Sequence, residues 1–309
     1  MKNWIHILAL LVLVASCTKE VEIDIPGYEE QLVVDGRIET NMPPIILLTK
    51  SQQVYAPTDL DAFLNSFISG ATITLSDGTN STTLTEICSD NLPPGTEELA
   101  ASMLGIPADQ LANYSICAYT TLDPAFLGQV GKVYTLTVSY EGQTYTAQTS
   151  IVQTTALDNL FWQPEPGLTD HGFSWATLSD PPGQFDAYFW EVKRLNGDSS
   201  DARFIPVYSP ATDDEFFDGL TFDFWYENPY GRDMEDSIRW MYRKGDTVVI
   251  KVSKIDDVSF DFFEKKYLQI QTAGNPFATP TSIPSNFNNG ALGIWAGFSP
   301  TFDTLICQP

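Results

Sequence analysis

Basic side chains are scarce in this sequence. Sixteen lysines and arginines face 40 aspartates and glutamates in 309 residues, and the formal net charge is −24. Nucleic acid and anionic lipid headgroups are themselves negatively charged, so a surface this acidic repels both. We therefore expect no nucleic-acid partner.

Histidine is scarcer still, and the motifs of several enzyme classes are missing. His6 and His171 are the two histidines, and neither belongs to a cysteine–histidine cluster of the kind that binds zinc. The sequence also lacks the Gly-x-Ser-x-Gly turn of serine hydrolases and the glycine-rich lysine loop that holds phosphates. Acids are plentiful enough that a hydrolase using two carboxylates stays open. We predict a non-catalytic protein with no cofactor and no catalytic residue.

No apolar run reaches the ~20 residues needed to cross a bilayer. A shorter run over residues 4–14 follows the basic Lys2, a pattern typical of an export signal. Val14-Ala15-Ser16-Cys17 comes at the end of this run and resembles the lipobox of bacterial lipoproteins, which are cut before the cysteine and lipidated on it. The alternative is an ordinary secretory signal with an unrelated cysteine.

The lipobox resemblance implies a signal peptide over residues 1–16, lipidation of Cys17 and a tether over residues 17–31. Lipid chains hold a protein at a membrane because each buried methylene contributes ~0.8 kcal/mol. Thr18-Lys19-Glu20 is similar to the export tag of Bacteroidota surface lipoproteins. We expect an outer-membrane protein that is lipid-anchored at the cell surface, with the periplasmic face as the alternative.

Three cysteines remain besides Cys17, and disulfides persist outside the cytoplasm. Cys88 and Cys117 flank one local segment, so we expect them to form a disulfide and Cys307 to stay free. Between them, residues 93–113 carry two glutamates after the candidate N-cap Thr96, which predicts a helical insert.

Short runs of β-forming residues between turn residues indicate a mainly β fold. Alternating segments flank Asp77-Gly78 and Glu141-Gly142, both of which are hairpin signals. We expect an immunoglobulin-like β-sandwich over residues 32–155, carrying the insert 93–113, and a second β-rich domain over residues 156–309.

One amphipathic helix is predicted in the second domain. Its apolar residues recur at spacings of three and four, and they are Phe260, Phe263, Tyr267 and Ile270. Asp256, Asp257 or Ser259 can cap its start, and Gly274-Asn275-Pro276 ends it.

Residues 215–242 concentrate aromatic side chains among acids, with no evident period of two or of 3.6. Rings that do not all face one core are available to a partner, and aromatic residues carry much of the energy of interfaces. We predict that partner or ligand contacts come from Phe222, Phe224, Trp225, Tyr226 and Tyr230. The alternative is a long loop folded over the second core.

The acidic run over residues 213–219 could supply oxygen ligands to calcium. It lacks the alternating spacing of an EF-hand loop, and a solvated acidic loop is the alternative. The sequence therefore predicts no metal site.

Four pieces of the sequence, in order, resemble the DUF4249 lipoproteins of Bacteroidota over nearly the whole mature chain. They are Val33-Val34-Asp35-Gly36 with Pro43-Pro44-Ile45, residues 69–78, residues 131–138, and residues 274–278 with residues 285–286 and 290–295. The resemblance implies an accessory partner of a TonB-dependent outer-membrane transporter that captures ligand or covers the pore. The alternative is a stand-alone carbohydrate-binding or adhesive surface lipoprotein.

Overall fold

The structure, a computed structural model, describes residues 29–52, 60–92, 95, 97, 100–101, 111, 113–197, 203–231, 235, 237–273, 275, 277–279 and 281–308. The predicted signal peptide, the lipidation site Cys17 and most of the tether lie outside the described residues. So does most of the insert predicted over residues 93–113, within which Glu97, Ala100, Ala101 and Leu111 have helical backbone.

The described residues form strands throughout both halves of the chain. The first half contains β1 (Leu32–Glu39), β2 (Ile45–Lys50), β3 (Thr72–Ser76), β4 (Ser81–Thr83), β5 (Thr85–Cys88), β6 (Cys117–Thr120), β7 (Val133–Tyr140) and β8 (Gln143–Ser150). The second half contains β9 (Asn159–Pro164), β10 (His171–Ser179), β11 (Ala187–Arg194), β12 (Ile205–Asp213), β13 (Thr221–Tyr226), β14 (Tyr242–Arg243), β15 (Thr247–Ile255) and β16 (Leu292–Ile306). The structure also describes helices α1 (Leu60–Leu64) and α2 (Asp257–Thr272), which confirms the predicted mainly β class with one long helix.

Three sheets organise these strands. The largest has eight strands in the order β12-β11-β15-β16-β1-β2-β6-β5. A four-stranded sheet, β4-β3-β7-β8, packs over its first-half end, and a second, β13-β10-β14 with β9 beside β10, packs over its second-half end. The large sheet forms a sandwich-like pair with each four-stranded sheet, as alternating strands predict. In each pair, the facing sides of the two sheets bury side chains in a shared core.

The first core lies between β1 and β2 on one side and β3 and β7 on the other. Alternate residues of each strand are buried, as in Val34 and Ile38 of β1 or Leu136 and Val138 of β7. Trp295 of β16 is fully buried in this core, where its indole nitrogen donates a hydrogen bond to the Tyr134 carbonyl at 3.0 Å. A second-half side chain therefore completes the first-half core.

The predicted Cys88–Cys117 disulfide is confirmed, with the two residues directly opposite each other on β5 and β6. The bridge brackets residues 89–116, the stretch that contains the predicted insert. Cys307 is a buried free cysteine, as expected, and it lies in the second core, between β11 and β15 of the large sheet and β10 and β13 of the small sheet.

Helix α2 covers the face of the large sheet that points away from the second core. Phe260, Phe262 and Phe263 pack there, against Phe189 of β11 and Phe298 of β16. Asp256 is the N-cap, and its Oδ1 accepts a hydrogen bond from the Ser259 amide at 3.0 Å.

The predicted apolar face of this helix is correct at Phe260 and Phe263 and wrong at Ile270. Tyr267 is partly buried, whereas Ile270 is 54% exposed. The last turn of the helix borders an open cleft rather than the core, and Ile270 lines that cleft. The predicted stop at Gly274 and Pro276 lies outside the described residues.

Strand β16 joins the two halves of the molecule. It pairs antiparallel with β15 and parallel with β1, so the large sheet runs without a break across the boundary predicted near residue 155. Gly293 allows this close pairing, because its φ is +98° and an added Cβ would lie 1.9 Å from the Val34 carbonyl oxygen.

Among the described residues, no helix combines the length and the apolar character that a membrane crossing requires.

Candidate ligand-binding cleft

Most of the predicted contact residues lie on β13, whose burial alternates along the strand. Phe222, Phe224 and Tyr226 turn inward, while Asp223 and Trp225 are exposed. The sequence of this segment indicated no period of two, and that interpretation is wrong for residues 221–226, where burial alternates. The alternation was hidden because Trp225 places a large ring on the outer face as well.

The inward-facing rings of β13 form a continuous aromatic cluster with their neighbours. Phe224 lies edge-on to Trp190 with a centroid distance of 4.5 Å, and it lies 5.4 Å from Phe222. Phe222 in turn is 4.5 Å from Phe217. Offset and edge-on ring pairs of this kind are attractive beyond the area that they bury.

A cleft of about 270 Å³ opens between β12 and β13 and exposes this cluster. The two strands lie at the ends of their respective sheets, so no ladder closes the gap between them. Four of the five predicted contact residues line it, namely Phe222, Phe224, Trp225 and Tyr226.

Polar groups stand at the rim of the aromatic lining. The Trp190 indole nitrogen donates to Thr212 Oγ1 at 3.2 Å, and Ser209 lies on the same side of the cleft. Burial raises the pKa of the Glu227 carboxyl, although a main-chain hydrogen bond from Tyr208 opposes this shift. An apolar cleft with a few placed polar groups is the usual form of a small-ligand site.

A second cleft, of about 300 Å³, lies on the other side of β12, against the end of α2. The Tyr208 and Trp240 rings line it with centroids 5.3 Å apart, and Ile270 and Gln271 form the helix wall. Gln271 Nε2 donates to the Tyr208 carbonyl at 2.7 Å, which fixes the helix to the strand. Val207 of β12 lines both clefts.

The outer face of the small sheet carries a further aromatic row. Trp175 of β10 is directly opposite Phe161 of β9 and Trp225 of β13, so all three project from the same face. The Phe161 and Trp175 rings are nearly parallel at 6.1 Å, and Trp225 lies 4.8 Å from Phe173. Trp225 is 45% exposed and belongs to both this outer face and the cleft.

Tyr230, the fifth predicted contact residue, is not part of the described cleft lining. Its hydroxyl accepts a hydrogen bond from the Arg194 amide at 3.3 Å and donates towards the Val192 carbonyl at 3.3 Å. The Arg194 guanidinium lies 5.3 Å from the centre of its ring. These contacts attach the residues after β13 to the end of β11.

Several residues that line the cleft were not predicted from the sequence. Trp190, Ser209 and Thr212 come from β11 and β12, far from the aromatic segment in the sequence, and only the sheet brings them together. The alternation of large and small residues over 171–179 could have predicted the outer aromatic row. It was not recognised as a strand pattern, because the inward positions include the small residues Ser174 and Ala176. His171, which begins β10, has Nδ1 3.0 Å from Asp170 Oδ1.

A scan of protein-family models and a search of curated proteins found no match to this chain.

Proposed function

We propose that the chain is a lipid-anchored, non-catalytic accessory protein of a TonB-dependent outer-membrane transporter that captures ligand or covers the pore, and that the cleft between β12 and β13 contacts the transporter or its ligand. Support comes from the lipobox-like Val14-Ala15-Ser16-Cys17, the resemblance to DUF4249 lipoproteins, and the cleft itself. The observation that carries the binding role is that four residues chosen from the sequence as contacts line one open aromatic cleft.

The make-up of the clefts favours binding over hydrolysis. Among the described residues that line the two clefts, Glu227 is the sole carboxylate. Acid-based glycoside hydrolysis needs two carboxyl groups facing each other across the scissile bond. Aromatic walls with a hydroxyl-bearing rim instead favour retention of a ligand by stacking and hydrogen bonds.

The transporter assignment rests on the resemblance and on the anchor. A protein held at the outer membrane is concentrated beside the transporters of that membrane, and a tethered ligand site then meets its partner at high effective concentration. The strong negative charge of the body keeps it away from the anionic bilayer surface.

The second candidate is a stand-alone carbohydrate-binding or adhesive surface lipoprotein. The outer aromatic row of Phe161, Phe173, Trp175 and Trp225 favours it, because aromatic rings stack on the apolar faces of sugars. This function requires the same anchor but no transporter.

The anchor is tested by replacing Cys17 with serine. Wild-type protein should incorporate a labelled fatty acid and sediment with outer membranes, and Cys17→Ser should lose both properties. An unlabelled wild type, or a Cys17→Ser variant that stays in the membrane fraction, would contradict the lipid anchor.

The cleft is tested by Trp225→Ala in the full chain, purified from detergent-solubilised membranes. We expect less co-purified transporter and an unchanged melting temperature, since Trp225 is partly exposed. Tyr226 is unsuitable for this test, because it is 3% exposed and its truncation would open the core.

The matched control is Phe277→Ala, which removes another exposed ring outside the cleft lining. It should co-purify the same amount of transporter as wild type. If Trp225→Ala co-purifies as much transporter as wild type, the result contradicts a transporter contact at the cleft. Binding of wild type, but not of Trp225→Ala, to polysaccharide without any co-purified transporter favours the second candidate.

A further inference from the structure

Three aspartates converge at one end of the second sandwich. Asp180 follows β10, Asp186 precedes β11 and Asp214 follows β12. They are 5%, 4% and 4% exposed, respectively. One carboxylate oxygen from each lies within 4.8 Å of the others. Separate segments of the chain thus bring three acids to one buried point.

Two of these carboxylates have their hydrogen bonds in place. Asp180 accepts from the Tyr188 hydroxyl at 2.6 Å and from the Gly219 amide at 3.1 Å. Asp186 Oδ1 lies 2.5 Å from the buried Lys254 ammonium, and Gln184 donates to both Asp186 oxygens.

The third carboxylate has one oxygen without a partner. Asp214 Oδ2 is buried and has no hydrogen-bond partner. The Asp214 amide donates to the Asp186 carbonyl at 3.0 Å, which holds the residue beside the other two acids. A buried carboxylate oxygen that lacks a partner destabilises the fold unless something else binds it.

We propose that Asp180, Asp186 and Asp214 form a divalent-cation site and that calcium is the ion. Calcium takes oxygen ligands at 2.3–2.6 Å, so any two oxygens on one ion lie at most roughly 5 Å apart, and the three oxygens here, all within 4.8 Å of one another, meet that limit. The Lys254 ammonium neutralises one of the three negative charges, and the two charges of a calcium ion would neutralise the other two.

The donor set favours calcium over other metals. Three aspartates and neither histidine nor cysteine form this cluster, so the site is unlike those of zinc or copper. Magnesium keeps several waters and usually takes one or two protein carboxylates, whereas calcium accepts more protein oxygens in flexible geometry.

The acidic run over residues 213–219 therefore supplies one ligand rather than several. Asp213, the last residue of β12, is not part of the cluster, and Asp218 Oδ1 accepts from the Gly183 amide at 2.6 Å. The remaining ligands come from the ends of β10 and β11, which no local loop motif could reveal.

Ion binding at this point would also affect the cleft. The turn over residues 214–219 connects β12 to β13 and carries Phe217, which lines the cleft. Calcium on Asp214 would fix this turn to Asp180 and Asp186, and thereby fix one wall of the cleft.

The test is calorimetric titration of the chelator-treated full chain, purified in detergent, with calcium chloride, alongside melting curves in calcium, magnesium and EDTA. We expect saturable heat with calcium and a melting temperature several degrees higher in calcium than in EDTA, with a smaller rise in magnesium. Wild-type protein that gives neither heat nor a shift overturns the proposal.

Asp214→Asn and Asp213→Asn form a matched pair that removes one negative charge from adjacent positions. Asp214→Asn should weaken calcium binding at least about tenfold, yet melt no lower than wild type in EDTA, because Asp214 Oδ2 has no hydrogen bond to lose. Asp213→Asn should keep the wild-type calcium response. An unchanged response in Asp214→Asn, or an equal loss in both variants, overturns the assignment.

Discussion

The Cys307 thiol lies in the second core, where its sulfur is 3.8 Å from the Ser174 hydroxyl oxygen. Burial raises its pKa to about 12. The thiolate is the reactive form of cysteine, so we expect no reaction of native protein with a thiol reagent at pH 8. Unfolding in guanidinium should release one reactive thiol, and Cys307→Ser should abolish it. Rapid labelling of native protein would contradict this burial.

Asp77 offers a pH-dependent test at the turn between β3 and β4. Its carboxylate accepts hydrogen bonds from Lys132 Nζ at 2.8 Å and from the Thr79 and Asn80 amides. These contacts hold the pKa of Asp77 well below its ordinary value. Ionised Asp77 therefore stabilises the folded state above its unfolded-state pKa, and this contribution is lost as pH falls through its folded-state pKa.

Asp77→Asn should therefore melt below wild type at neutral pH, and the difference should shrink in acid. Melting curves recorded from pH 7 to pH 2 measure this difference. A gap between the two proteins that stays constant over this range would mean that the charge of Asp77 contributes nothing.

At the scale of elements, Asp256 links α2 to the first half of the chain. One carboxylate oxygen caps the helix, and the other accepts from the Ser150 amide at 2.9 Å and Thr149 Oγ1 at 3.0 Å. We expect Asp256→Ala to lower the free energy of unfolding by at least ~1–2 kcal/mol, the usual cost of a lost cap.

Denaturant unfolding measures this loss, with Asp257→Ala as the control. Asp257 is exposed, and its carboxylate accepts from the adjacent Val258 amide at 2.9 Å. Its removal should cost less, because only a favourable charge near the helix start is lost. Equal losses in the two variants would exclude a special role for Asp256.

The sequence predicted those elements in which the buried apolar residues recur with the period of a strand or a helix. Strand β7, beside the predicted hairpin turn, buries alternate residues, and helix α2 buries Phe260 and Phe263 on one face. The sequence prediction missed β10, because small residues such as Ser174 and Ala176 face the core while Phe173 and Trp175 face outward. In this strand, large rings face outward and small residues face the core, which is the reverse of the usual pattern. A prediction that places large apolar residues inside therefore does not identify it.

The cleft could be predicted in part. Aromatic density singled out β13, and Phe222, Phe224, Trp225 and Tyr226 line the opening. The opposite wall depends on which strands end each sheet, and that order follows from long-range pairing rather than local pattern. The aspartate cluster depends on the same pairing.

At the scale of the molecule, the continuous large sheet predicts joint unfolding of both halves. Trp295 belongs to β16, yet it fills the first core, while Ile294 packs in the core beneath α2. We expect hydrogen exchange of β7 and β11 to rise at the same urea midpoint, because neither half keeps its core without β16. Two separate midpoints would show that the halves unfold independently.

Trp295→Ala should destabilise both halves together. Truncation of a buried aromatic side chain costs ~3–5 kcal/mol, and the Tyr134 carbonyl would also lose its indole donor. The same exchange measurement should show the midpoints of β7 and β11 shifting by equal amounts. A shift confined to β7 would restrict the role of Trp295 to the first core.

The pairing of β1 with β16 also bears on how the chain is made. Thr40, just after β1, bonds to Phe298 across 258 residues of sequence. In a protein exported as we propose, the leading strand emerges long before its neighbour is synthesised, so the nascent polypeptide has no complete core to close around. Such a chain would stay unfolded and could pass through a narrow translocation channel. A product truncated before β16 would be susceptible to proteolysis.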